Sequence, residues 1–381
     1  MNTFNIVSIE AQVYRVPIQY TVRTSFGMMR DRPAVVVRAE DAEGNIGWGE
    51  TWCNFPTVGA EHRARLINEN CADILCGQEW QSPRAAFAGL TSQLHVLTLQ
   101  TAEPGPIAQA IAGIDIALWD MAAKRAGVPL YHHLAAEFGQ TDMGDVVSVA
   151  CYASGINPDE PEKTALRARD EGYTAFKLKV GFEDELDHRN LKEMRNALGP
   201  DAKIMTDANQ RWDVTTAIQM TNELGDYNPY WIEEPIAADR PTSEWRDLCA
   251  ASPIDLAAGE NLRGGEFTEV CEDSYLKFIQ PDIAKWGGFS GCFPVAKKAG
   301  EEGKIYCPHY LGGGIGLLAS AHLLAAIGGP GILEIDCNPN SLREQLAEPF
   351  PSVTDGMFEL PQTPGLGIEP GLEDLAPHRT L

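Results

Sequence analysis

Eight short apolar runs decide the fold: VVSVACYA (146–153), AFKLKV (175–180), KIMTDA (203–208), PYWIEEP (229–235), IDLAAGE (254–260), LKFIQPD (276–282), KIYCPH (304–309) and GILEID (331–336). Each has strand length, and helix-length stretches separate them. One polar residue near each strand end, Lys179, Asp207, Glu233, Glu260, Asp282, His309 and Glu334, gives intervals of 28, 26, 27, 22, 27 and 25 residues. That is the cadence of a βα unit repeated around a barrel. A doubly wound open sheet alternates in the same way, but it rarely puts ionisable groups at so many successive strand ends. The spacing therefore predicts an α/β barrel over residues 141–340.

Working outward, residues 5–50 hold two alternating runs, IVSIEAQVYRV and AVVVRAEDAEGNIGWGE, the second turned at Glu43-Gly44-Asn45. They predict an antiparallel sheet, with 20–32 between them as a loop of possible functional use. From 59 to 136 the period is helical, clearest in PIAQAIAGIDIALWDMAAKRAGVPL, where Ile111, Ile114, Leu118 and Met121 share a face and Gly127 supplies the stop. An α+β domain is expected over 1–140. The tail, 341–381, is rich in Pro and Gly, contains a strand-like GMFELP, and is expected to return to the N-terminal sheet of the capping domain.

The 381 residues carry 54 Asp+Glu against 30 Lys+Arg, a formal charge of -24, which disfavours nucleic acid and anionic membrane surfaces as partners. The nine cysteines are scattered without a C-x-x-C pair and read as reduced thiols. The first residues show no basic-then-apolar leader, so a cytoplasmic location is expected. The longest apolar tract, 317–333, is interrupted by His322 and Pro330 and reads as a core helix followed by a strand.

In a parallel barrel the active site lies at the C-terminal strand ends. Asp207, Glu233 and Glu260 end three consecutive strands. Three carboxylates converging on one point repel unless a cation neutralises them, and an all-oxygen set with open positions suits Mg²⁺. The competing reading has each carboxylate capping the next helix. Glu234 faces the other way along its strand. Lys177 and Lys179, two apart, share a face, and mutual repulsion plus a nearby metal would lower the pKa of Lys179 toward that of a general base. Asp282 can fix the tautomer of His309 through Nδ1, leaving Nε2 to the cavity. Glu334, protonated or hydrogen-bonded, can stabilise oxyanion charge.

Weaker signals come from Gly312, Gly313, Gly314 and Gly316, whose backbone amides can hold an anion at a helix start, although a plain tight turn accounts for them equally well. Arg23, Trp52 and Asn54 sit in N-terminal loops that either cover the cavity or form ordinary solvated surface.

Together these motifs resemble the enolase superfamily and, within it, the mandelate racemase-like subgroup (mandelate racemase and muconate lactonizing enzymes). Lys177-Leu178-Lys179 is similar to its Lys-x-Lys motif. Asp207 of MTDAN, Glu233 of WIEEP and Glu260 of AAGEN fall on its metal ligands, Asp282 of QPDIAKWGG and His309 of CPH on its dyad, and Glu334 on its electrophilic Glu. Asn209 looks like a family residue that contacts substrate. The resemblance covers nearly the whole chain. It implies a modified (β/α)7β barrel with an N-terminal α+β capping domain, Mg²⁺ as cofactor, a small carboxylate substrate and a homo-oligomer. It also implies proton abstraction α to a carboxylate through an enediolate. The tail segments EIDCNPNSLREQL and PGLGIEP resemble acid-sugar members, which favours a sugar-acid dehydratase. A racemase or cycloisomerase is the main alternative, and a non-catalytic binding protein on this scaffold a remoter one.

Overall fold

The computed structural model describes residues 3–23, 28–137, 139 and 147–381, the side chains of 19–23 and 28 excepted. The chain opens with three antiparallel strands, β1 (Phe4–Arg23), β2 (Met28–Asp41) and β3 (Ile46–Thr51), and a short β4 (Glu79–Trp80) completes the sheet in the order β3-β2-β1-β4. The Asp41 carboxylate accepts from the backbone N–H of Glu43 and Asn45, which fixes the turn into β3. Most of the stretch 20–32 expected to be a loop is strand instead: Val22 pairs with Met29 and Arg23 with Met28. The register breaks between Pro17 and Val22 and pairing then resumes, so the strands run on past an irregularity that alternation alone does not show.

The helix Pro104–Ala126 is the keel of the molecule. It is buried almost all round between Ile107 and Ala123 and ends at Gly127 in the left-handed region. It lies against β3 so closely that a Cβ on Gly49 would come within 2.0 Å of the Gly113 carbonyl oxygen, so glycine is required there. Its buried Asp115 accepts from Ser290 N (2.9 Å) and Ser290 Oγ (2.6 Å) across the seam to the barrel.

Eight parallel strands follow: β5 (Ser148–Ile156), β6 (Ala175–Lys179), β7 (Lys203–Asp207), β8 (Ile232–Glu233), β9 (Leu256–Ala258), β10 (Phe278–Ile279), β11 (Ile305–Tyr306) and β12 (Leu333–Asp336). Each pairs with the next from β5 to β11, and β12 pairs back onto β5. No ladder joins β11 to β12. Instead Tyr310 N donates to Glu334 Oε2 (3.1 Å), and Gly331 packs on the Tyr306 carbonyl oxygen. The inner layer is filled by Tyr152, Met205, Trp231, Phe278, Cys307 and Ile332, so the barrel is a packed core.

The tail returns to the N-terminal domain, with Leu366 N donating to Asp120 Oδ1 (2.7 Å) and Trp48 Nε1 to Glu369 Oε2 (3.2 Å), but its strand does not join that domain's sheet. GMFELP forms β14 (Met357–Glu359), which pairs with β13 (Val353–Thr354) and with β5 of the barrel, not with the N-terminal sheet. Only the last residues reach β1, through Thr380 N to Val13 O (2.8 Å) and Val13 N to Leu381 O (3.2 Å). No helix of the described residues is long and apolar enough to cross a membrane.

Candidate active site

Register alone lines up the first three candidates. Lys179 pairs with Asp207 and Asp207 with Glu233, so the ends of β6, β7 and β8 present one ammonium and two carboxylates at the same level. Glu260 lies just past β9, and Asp282 and His309 just past β10 and β11. Glu334 lies within β12, which runs on to Asp336.

Lys177 is wholly buried and is the hub. Its Nζ stands 2.7 Å from Glu233 and 2.7 Å from Glu334, 3.8 Å from Asp207, and 5.3 Å above the Tyr152 ring. Burial opposes its charge, but this ring of carboxylates outweighs burial and holds the pKa well above the ordinary lysine value. Lys179 hydrogen-bonds Asp207 and also donates to Asn209 Oδ1 (2.9 Å). Its pKa is raised, contrary to the depression expected: burial and Lys177 act downward, yet Asp207 and Glu233 prevail. The pairing of Lys179 with Asp207 is the reason, since it supplies a counter-charge at contact distance.

The dyad is present. Asp282 Oδ2 lies 2.8 Å from His309 Nδ1, and Asp282 Oδ1 accepts from Ala284 N and Lys285 N, which fixes the carboxylate. Nε2 of His309 faces Glu260 (2.5 Å) and Glu334 (3.8 Å). Despite burial, Glu260, Glu334 and Asp282 raise the imidazole pKa well above its usual value. Glu334 is hydrogen-bonded, accepting from Ser154 Oγ and Tyr310 N. Burial pushes its pKa up, but Lys177, His309 and Ser154 bring it down to about 2.

Glu234 does not point away from the site. It is buried, its φ of 40° turns it back, and Asn261 Nδ2 donates to both its oxygens at 2.9 Å. Lys285 completes this side, 2.9 Å from Asn261 Oδ1 and 3.7 Å from Glu260. Sequence reasoning passed over Asn261, Lys285, Ser154 and Gln280; the last donates to Glu233 Oε2 (2.8 Å). Gln280 and Lys285 flank Asp282 within one strand-end motif, and that proximity was the available signal.

The glycine turn holds an anion, but an internal one. Gly313 N (2.5 Å) and Gly316 N (3.0 Å) donate to the two oxygens of Glu50 at the end of β3. A Cβ on Gly312 or Gly316 would fall 2.4 Å from the Tyr310 hydroxyl, and one on Gly313 2.7 Å from Glu50 Oε1. These glycines therefore allow close packing, and the Gly313 amide is not free for substrate. Trp52 is anchored through its backbone N–H to Ala284 O (3.2 Å), with Lys285 Nζ 4.9 Å from its ring centre. Asn54 is buried and donates to Leu311 O (2.7 Å), two residues past His309. Both belong to the barrel mouth, not to solvated surface. Asn54 also lines a cleft of about 370 Å³ with Arg15, Met29 and Arg30. The Arg23 side chain lies outside what the structure describes.

Among the described residues no three His, Cys, Asp or Glu groups form a ready metal cage. The ammonium and imidazole groups hold the carboxylates instead. The donor set nevertheless fits a hard divalent cation. Asp207, Glu233, Glu234, Glu260, Asp282 and Glu334 stand against Lys177, Lys179, Lys285 and His309, six carboxyl groups to four basic ones, and burial beside Glu260 raises the pKa of Glu234 well above its ordinary value. The surplus shows in Glu233, whose pKa burial raises to about 7, with Asp207 and Glu334 adding to it against Lys177.

Comparison with known proteins agrees with this geometry. Residues 160–375 match the model of the enolase C-terminal domain-like family, and residues 8–134 that of the mandelate racemase / muconate lactonizing enzyme N-terminal domain. The chain belongs to the enolase superfamily, in its mandelate racemase and muconate lactonizing enzyme branch, and is an enzyme of that class. It is 30% identical over 363 residues to D-galactarolactone cycloisomerase of Agrobacterium fabrum, covering 91% of both chains. It is 30% identical over 362 residues to D-galactonate dehydratase of Pectobacterium atrosepticum, covering 87% of both. Among solved structures, a mandelate racemase/muconate lactonizing enzyme from Bordetella bronchiseptica superposes with TM-score 0.91 at 47% identity, over 99% of this chain and 100% of that one. A mutant L-talarate/galactarate dehydratase liganded with Mg and L-glucarate superposes with TM-score 0.85 at 26% identity, over 100% and 93%.

Proposed function

We propose that this enzyme dehydrates a sugar acid to a 2-keto-3-deoxy acid, beginning with Mg²⁺-dependent removal of the proton α to the carboxylate. The observation that carries the reading is the pair of candidate proton carriers, Lys179 on β6 and His309 beyond β11, flanking one cluster in which carboxyl groups outnumber basic ones. Asp207, Glu233 and Glu260 would hold the ion, with Glu234 behind them. When bound, Mg²⁺ acts as a Lewis acid on the substrate carboxylate. With Asp207 committed to the ion, Lys179 would lose its contact counter-charge, hold its proton less tightly and could act as the base. His309, kept protonated and oriented by Asp282, gives a proton to the departing β-hydroxyl. Lys177 sets a positive charge against the enediolate oxygens, and Glu334 orients that ammonium. All nine cysteines are free thiols, which supports a cytoplasmic setting.

Dehydration is favoured because relatives of similar length are named as acid-sugar dehydratases. The 30% identity to a lactone cycloisomerase over 91% of the chain keeps isomerisation as the second reading. Incubation with Mg²⁺ and a panel of C5 and C6 sugar acids, followed by mass spectrometry after carbonyl derivatisation, separates the two. Loss of one water with a new ketone is the expected result. A changed product of unchanged mass would establish the isomerase reading instead.

A further inference from the structure

Arg32 lies on β2, on the face that alternation turns toward the barrel. Ala34 and Val36 of that face pack into the core shared with the barrel strands, whereas Val35 and Val37 pack among the N-terminal helices. The side chain is 3% exposed, and its Nη2 donates to Asp336 Oδ2 at 2.5 Å. Asp336 is itself fixed, accepting from Asn338 N (3.1 Å) and Asn338 Nδ2 (2.7 Å). A Cβ on Gly155 would lie 2.4 Å from Asp336 Oδ1, so the carboxylate has one place to sit. Asp336 follows Glu334 by two residues on β12, so both point to the same face, with Asp336 roughly 7 Å further toward the open end of the barrel. Arg32 thus stands over the strand ends, one layer out from the candidate catalytic groups. Its Nε and Nη1 are buried, and among the described residues no atom accepts from either. Buried donors of a charged group are seldom left unmet in a finished complex.

We propose that Arg32 is a specificity-determining residue. It donates through Nε and Nη1 to oxygens at the end of the substrate remote from the reacting carboxylate. Resting on the function proposed above, this selects acid sugars, whose distal hydroxyls or second carboxylate supply acceptors. It disfavours aryl or alkyl carboxylates, which would seal both N–H groups against carbon.

Arg32→Lys keeps a cation beside Asp336 and removes both free donors. In a Lys179→Ala background, which halts turnover, calorimetry should show the acid sugar consumed by the wild type binding roughly tenfold more weakly or worse once Arg32→Lys is added, with Mg²⁺ affinity unchanged. A loss confined to the dicarboxylic member of a pair of equal chain length assigns a carboxylate to Arg32; equal loss for both members assigns hydroxyls. Unchanged acid-sugar affinity, or a parallel loss of Mg²⁺ affinity, overturns the inference. If Arg32→Lys does not fold, the double variant Arg32→Met/Asp336→Leu replaces the ion pair with apolar groups of similar volume, a change often neutral for stability, and is read by the same criteria. Wild-type protein that turns over no acid sugar would instead defeat the functional reading beneath the inference.

Discussion

Lys177 and His309 share the charge balance of the site: the buried ammonium touches Glu233 and Glu334 and leans on Asp207, and the imidazole meets Glu260, Asp282 and Glu334. Glu233 is the group through which metal binding is most directly probed. Glu233→Gln keeps the shape and the Gln280 contact but loses the charge, so activity should vanish and Mg²⁺ affinity should fall at least several-fold in calorimetric titration while the circular dichroism spectrum is retained. Affinity equal to wild type would shift the ligand role to Glu234. Lys179→Ala and His309→Asn should each lower net turnover by about 10²-fold or more, while at least one retains exchange of the substrate α-hydrogen with deuterated water. Full turnover in both would remove the pair from proton transfer. These residues were legible because a polar group at a parallel strand end has a place to converge. Their protonation was not legible, because it depends on contacts such as Lys179 with Asp207 that strand-end position does not specify.

The turn after β11 and the helix that follows it, Gly314–Ile327, connect the dyad to both halves of the molecule. Gly313→Ala would drive a Cβ to 2.7 Å from Glu50 Oε1 and 2.9 Å from Leu346 Cδ1, and both neighbours are buried. A loss of about 1–3 kcal/mol in denaturant unfolding is expected, with lower activity as the His309 turn shifts. On the same helix His322 accepts from Tyr131 N at Nδ1 (3.1 Å), so its proton sits on Nε2 and is donated to Leu366 O (3.2 Å). Burial lowers its pKa from 6.5 to about 3. The unfolded chain then binds the proton first, and stability present above pH 6.5 is lost as pH falls toward 3, by up to ~1.4 kcal/mol per pH unit. The difference in unfolding free energy between wild type and His322→Gln should shrink with acidification over that window; a difference independent of pH would contradict the buried neutral imidazole. The helix and turn could be read from apolar length and glycines. Glu50 could not, because it lies 263 residues from Gly313 and no local period links them.

The two halves meet along the keel helix, the Asp115–Ser290 and Glu50–Gly313 contacts, and Arg32 with Asp336, so the N-terminal sheet is tied to the barrel mouth at several points. Barrel order was visible in the sequence because each βα unit repeats one local pattern. The seam was not, since partners across it are unrelated in sequence position. The partner of GMFELP was not legible for the same reason: a three-residue strand specifies alternation but not which sheet it joins. The formal charge of -24 makes a cationic requirement natural at a carboxylate-rich mouth, and removal of divalent ions by a chelator should abolish activity reversibly. The central claim, abstraction of the proton α to a carboxylate, is tested most directly by following that hydrogen. Acid sugars incubated with the enzyme and Mg²⁺ in deuterated water, monitored by proton NMR, should lose the α-hydrogen signal of at least one substrate, and the same sample with a chelator should not. Retention of the α-hydrogen in every acid sugar while one of them is nonetheless converted would contradict the account.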